Sequence, residues 1–111
     1  MARSCSARRR RAISFQTIAD HALLNLPTIV RHWLPAGKLE GNEWIARNPT
    51  RSDQHAGSFK VNLRTGRWAD FATGDKGGDA ISLAAYLFGM TQVAAARKLA
   101  ASLGISAEKP R

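Results

Sequence analysis

Residues Trp68 to Ile81 read W-A-D-F-A-T-G-D-K-G-G-D-A-I, and this stretch concentrates the residue types that recognise anions. Glycines let backbone N–H groups converge on a phosphate at a helix N-terminus, and Asp79 is placed to open a helix directly after Gly77 and Gly78. Lys76 adds a mobile positive charge beside them. The order differs from that of a nucleotide-binding P-loop, G-x-x-x-x-G-K-[ST]. Two readings stay open: a direct phosphate contact through Gly77 and Gly78, or glycines that serve the turn alone.

The charge balance points the same way. The 111 residues carry 17 Lys and Arg against eight acids, a formal net charge of +9. A basic balance of this size favours a polyanionic partner, nucleic acid first, and Arg dominates, the side chain best shaped to grip phosphate oxygens. Arg8, Arg9, Arg10 and Arg11 precede the first apolar periodic segment, so residues 1–12 are expected to form a basic disordered tail. That tail either meets phosphate, releasing counterions, or simply solubilises the chain. Cys5 is the only cysteine and lies in the tail, which leaves no disulfide and no cysteine-based zinc site. No apolar run suits a bilayer span or a secretory signal, so the expectation is a cytoplasmic protein without a membrane partner.

One small domain, residues 13–105, has to position these groups, with residues 106–111 as a frayed end. Ile18, Ala22, Leu23 and Leu26 share a helical face until Pro27 breaks or restarts the helix. Ile29, Val30, Trp33 and Leu34 continue it up to Pro35-Ala36-Gly37. His21 and His32 read as surface or half-buried helical residues, since no metal-spaced partner accompanies them.

The period then changes. Glu43 to Ala46 reads as a strand; Phe59, Val61 and Leu63 alternate as one face of a second; and Arg67 to Phe71 makes an antiparallel third. This arrangement turns Lys60, Asn62 and Arg67 toward solvent. Asp79 and Thr91 are N-caps of two closing helices, which Gly89 and Gly104 end. The expected fold class is therefore α+β, a three-stranded antiparallel sheet packed with N-terminal and C-terminal helices and holding no metal.

On these residues the chain resembles the zinc-binding N-terminal domain of bacterial and phage-type DNA primases, in a cysteine-less form like those of phage, plasmid and mobile-element proteins. Gly57-Ser58-Phe59-Lys60-Val61 matches the family's P-S-F strand, and Gly77-Gly78-Asp79-Ala80-Ile81 matches its glycine turn and helix start, with one residue inserted before Gly77. Ala95 to Ile105 matches the closing helix with its L-G-I ending. Asn48, Arg51, Asp70 and Thr73 stand at the four ligand positions, and none is Cys or His. The resemblance thus implies a degenerate zinc ribbon whose lost metal must be offset elsewhere. Burial of Trp44, Trp68 and Phe71 is one means, and an Arg51–Asp70 pair bridging the former ligand sites is another. Asp70 is read as paired or capping the backbone.

The family's domain helps a primase engage its single-stranded template, and its polymerising domain has no counterpart in this sequence. Neither a nucleophile–His–carboxylate set nor paired carboxylates stand at a recognisable spacing, so the chain reads as a non-enzyme without cofactors. The residues expected to contact DNA, in single-stranded form by preference, are Arg47, Arg51, Lys60, Arg64, Arg67 and Lys76 with Gly77 and Gly78, helped by the Arg tail. Trp44 and Trp68 either stack on bases or pack in the core. The alternative function is an adaptor that docks on a primase, helicase or other replication protein.

Overall fold

A computed structural model describes residues 12–50 and 58–109. The first helix, α1 (Phe15–Leu24), buries Ile18 and Ala22, one turn apart on one face. The chain restarts at once as α2 (Leu26–Trp33), with Pro27 in the first turn, where its missing N–H leaves no hydrogen bond unmade. Leu26 and Val30 continue the buried stripe, and Leu34 closes it.

Five strands follow: β1 (Lys38–Glu40), β2 (Glu43–Ala46), β3 (Phe59–Asn62), β4 (Trp68–Asp70) and β5 (Lys76–Gly77). They pair in sequence order, each antiparallel to the next. The expected three-stranded sheet is therefore corrected to five, with one short strand added at each edge. β1 escapes a hydrophobic-pattern reading because all three of its residues are exposed, so neither face carries an apolar signal. It is held instead by a hairpin whose turn is Gly41-Asn42, with Gly41 at a φ of 60°, a conformation glycine adopts without strain. β5 is only two residues long and lies inside the glycine loop, where Gly77 pairs with Trp68 and Lys76 with Ala69.

The other expected strands pair as the alternation requires. Phe59, Val61, Trp44, Ala46 and Trp68 point into one hydrophobic core with Ile18, Val30, Ile81, Leu83 and Leu99, and Leu63 packs at its margin. Helix α3 (Ala80–Phe88) is capped by Asp79, whose side chain accepts from Ser82 N at 2.8 Å, and it stops at Gly89 in the left-handed region. Helix α4 (Gln92–Leu103) starts at Thr91, whose hydroxyl accepts from Ala94 N at 3.1 Å. Its buried residues are Ala95, Ala96, Leu99 and Ala100, mostly small ones that allow α3 and α4 close approach. Val93, in the first turn of the same helix, is 44% exposed. Beyond α4, Ser14 N donates to Ala107 O and Lys109 N to Ala12 O, which ties residues 107–109 to the start of the described chain.

Phe59 is fully buried at the centre of the sheet, with Trp68 and Tyr86 against its ring. Phe59→Ala is expected to cost about 3–5 kcal/mol, read as a lower denaturant midpoint at unchanged slope. Wild-type stability in that variant would contradict the packing described.

Candidate nucleic-acid interface

The sheet has a second face, turned away from the helices, and antiparallel register lines up its side chains. Lys38 pairs with Ile45, Ile45 with Lys60, Lys60 with Ala69, and Ala69 with Lys76. One row across the strands thus carries a lysine at each edge and one in the middle. Four interstrand spacings make that row roughly 19 Å long. Lys38 also meets Glu40 at 3.2 Å, an exposed pair of small energetic weight.

Toward the β3–β4 turn the row opens into a shallow depression of about 260 Å³, lined by Lys60, Arg67, Lys76, Asn62, Phe71 and Glu43 among others. Of the residues expected to contact DNA, Lys60, Arg67, Lys76 and Gly77 therefore come together. Arg64 lies on the β3–β4 turn, where Asn62 Oδ1 accepts from the backbone N–H of Arg64 at 2.9 Å and of Thr65 at 3.1 Å. Arg47 is exposed just beyond β2, in a separate small depression with Trp33, Pro35 and Pro49. Arg51 and Arg8 to Arg11 lie outside the described residues.

Phe71 is the residue that sequence reasoning misplaced. Expected in the core, it is 70% exposed at the end of β4, and Lys60 Nζ sits 5.6 Å from its ring centroid. Strand parity was the available signal: Trp68 and Asp70 point inward, so Ala69 and Phe71 must point outward. The two tryptophans do the reverse and are core residues, each 5% exposed. Their indole N–H groups are satisfied inside, Trp44 by Leu34 O at 2.9 Å and Trp68 by Ser82 Oγ at 3.0 Å. The aromatic surface available for stacking in the depression is Phe71.

The glycine loop has a definite geometry. Gly77 faces the indole edge of Trp68, and a Cβ built there would lie 2.4 Å from both Trp68 Nε1 and Ser82 Oγ. The α3 N-terminus behind it is closed by a capping box formed by Asp79 and Ser82. Gly78 meets nothing within 4 Å and lines a neighbouring depression that holds Asp20 and Asp79.

No protein-family model matches the chain, and no curated protein matches it significantly. A solved structure does: the crystal structure of the Aquifex aeolicus primase, comprising zinc-binding and RNA polymerase domains, at a TM-score of 0.68 and 19% identity. The match covers 90% of this chain and 23% of that one. The fold is shared with a primase zinc-binding domain.

Such a fold implies zinc, and the donor set present does not fit it. Structural zinc is held by thiolates and imidazoles, whereas Asn48, Arg51, Asp70 and Thr73 offer an amide, a guanidinium, one carboxyl and a hydroxyl. Asn48 Nδ2 donates to Asp70 Oδ2 at 2.7 Å, so two of those positions bind each other. Among the described residues no three His, Cys, Asp or Glu side chains converge as a metal site would require.

The two glycines give a paired test of the loop. Gly77→Ala is expected to destabilise by roughly 1–3 kcal/mol, because its methyl group displaces the Trp68 indole or Ser82. Gly78→Ala, in open space, should melt within about 0.5 kcal/mol of wild type. Equal melting temperatures for the two variants would refute this account of Gly77.

Proposed function

We propose that this chain is a non-catalytic DNA-binding accessory module of a replication or mobile-element system, with single-stranded DNA the favoured ligand. The observation that carries this reading is the outer sheet face, where Lys60, Arg67 and Lys76 line one depression with an exposed Phe71. Cations that track a phosphate backbone beside an aromatic ring on which a base can stack are the two parts that single-strand binders combine. Duplex DNA keeps its bases stacked on one another, so the ring contributes only to the unpaired strand. Arg47, Arg51, Arg64, Gly77, Gly78 and the Arg8 to Arg11 tail extend the contact in this proposal, the tail as a non-specific attractor. The shared fold supports a replication setting, and a cytoplasmic site of action goes with it. No helix among the described residues is long and apolar enough to cross a membrane.

A second reading rests on a different surface. Ile29 and Trp33 of α2 and Leu99 and Leu103 of α4 line a groove of about 520 Å³, with no residue in common with the sheet depression. Ala95 and Ala96 are buried and offer an adaptor no surface, so this groove is the one it would use. Its occupant would be a primase, helicase or other replication protein.

A titration of single- and double-stranded oligonucleotides at several salt concentrations separates the readings. Lys60→Ala, Arg67→Ala and Lys76→Ala should each reduce the single-strand salt slope by roughly 0.7. Phe71→Ala should weaken single-strand binding by about 1–3 kcal/mol and leave duplex binding nearly unchanged. Undiminished binding by a triple Lys60, Arg67 and Lys76 variant lacking residues 1–11 defeats the DNA reading, as does no binding by the intact protein at low salt. In the adaptor case, Ile29→Asp with Leu103→Asp would abolish capture of the replication protein without altering DNA affinity.

A further inference from the structure

Two of the positions that the resemblance assigns to metal ligands, Asn48 and Asp70, bind each other, and the connectivity around them is specific. Asn48, 1% exposed, uses its whole hydrogen-bonding capacity. Its Nδ2 group donates to Asp70 Oδ2 at 2.7 Å and to the Tyr86 hydroxyl at 2.8 Å, while its Oδ1 accepts from Thr50 N at 2.8 Å and Thr50 Oγ1 at 2.7 Å. Asp70, fully buried, turns its other oxygen to the next loop, accepting from Ala72 N at 2.8 Å. The Asp70 backbone oxygen accepts from Gly74 N at 2.8 Å, and its N–H donates to Asp75 O at 2.8 Å. The Tyr86 hydroxyl in turn donates to Asp75 Oδ2 at 2.8 Å, and the Thr73 hydroxyl reaches that same oxygen at 3.0 Å.

Three segments distant in sequence thus converge: the chain leaving β2, the β4–β5 loop, and helix α3. We infer that this Asn48–Asp70–Tyr86–Asp75 network is a metal-free clasp that replaces a zinc ion as the crosslink between the two loops. A zinc ion would join the loops through one atom bonded to all four ligands. The clasp divides that task between the Asn48 amide, which joins the loops directly, and the Tyr86 hydroxyl, which anchors both to the helix. The Tyr86 ring is fixed independently, parallel to Phe59 within 12° and with its centroid 4.7 Å from that of Trp68. Its hydroxyl is therefore presented without a search over rotamers, so little ordering entropy opposes the bonds it makes.

Tyr86→Phe tests the clasp, because it removes the hydroxyl and leaves the ring stack in place. Its melting temperature should fall by roughly 4–8 °C, the shift expected when one net hydrogen bond is lost from a domain of this size. Amide exchange supplies the sharper readout. The N–H groups of Thr50 and Ala72 bond to Asn48 and Asp70 and not to Tyr86, yet both should exchange several-fold faster in Tyr86→Phe, while Leu99 in α4 keeps its protection. Asp75→Ala, at the exposed edge of the network, should reproduce the effect, and adding it to Tyr86→Phe should cost less than the sum of the two changes. The wild-type melting curve should be the same in EDTA and in added zinc. The clasp is overturned if chelation lowers the wild-type melting temperature, if Tyr86→Phe melts as wild type, or if Thr50 and Ala72 keep their protection in that variant.

Discussion

The fold is organised around the burial of one carboxyl group. Asp70 ends β4 pointing inward, fully buried, at a position where Phe59 is its partner on the next strand. A polar group in that setting is costly unless its lone pairs are met, so the surrounding chain has to bring donors to it. Asn48 comes from the far side of β2–β3 and Ala72 from the loop that follows, and each supplies one. Meeting this demand closes the β4–β5 turn, returns the chain as β5, and delivers Gly77 against Trp68 and Asp79 to the start of α3. An apolar residue at position 70 would fill the space but would place no such condition on the loops.

The same constraint sets the outer surface. Because Asp70 faces in, the next residue faces out, and Phe71 stands beside Lys60 instead of joining the core. The inner and outer faces are thus two consequences of one strand parity: the clasp lies beneath, and the cationic depression lies above. Trp68, Phe59 and Tyr86 form the layer between them, with ring centroids 4.7–6.1 Å apart. Removing volume from that layer would disturb both faces, whereas a charge change on Lys60 or Lys76 would be felt on the outer face alone.

The helices were legible in the sequence because their signals are local. Asp79, Thr91, Gly89 and Gly104 all cap where their chemistry predicts, and Pro27 marks a restart rather than an end. Central strand β3 was legible because one of its faces is buried, which imposes alternation on Phe59 to Leu63. β1 is exposed on both faces and β5 is two residues long, so neither leaves a periodic trace, and pairing with a neighbour is what makes each a strand. Alternation turned Lys60 and Arg67 toward solvent, but their meeting with Lys76 depends on the β4–β5 pairing, which alternation does not supply. Phe71 was instead expected to be buried as an offset for a missing metal, whereas the parity of Trp68 and Asp70 turns it outward. Tyr86 was invisible for another reason: within a helix that is apolar almost all round, nothing in the sequence distinguishes a hydroxyl aimed at a distant loop from one aimed at solvent.

At 19% identity the chain shares the fold of a zinc-binding domain, while the four positions that the resemblance assigns to metal ligands hold neither Cys nor His. The physical reason is that the fold requires two loops to be held at fixed separation and places no demand on the chemistry that holds them. A metal ion meets that requirement through a few strong bonds; without one, weaker bonds have to be made together on a preorganised support. Asn48, satisfied at all its donor and acceptor sites, and Tyr86, fixed by ring packing, fit that description. Hydrogen bonds of about 1 kcal/mol each are individually far weaker than zinc–thiolate bonds. The remaining stabilisation has to come from the core, where Trp44, Trp68 and the close-packed alanines of α4 are buried. On the proposed reading the clasp holds the loops, and apolar packing supplies the stabilisation that a metal would otherwise contribute.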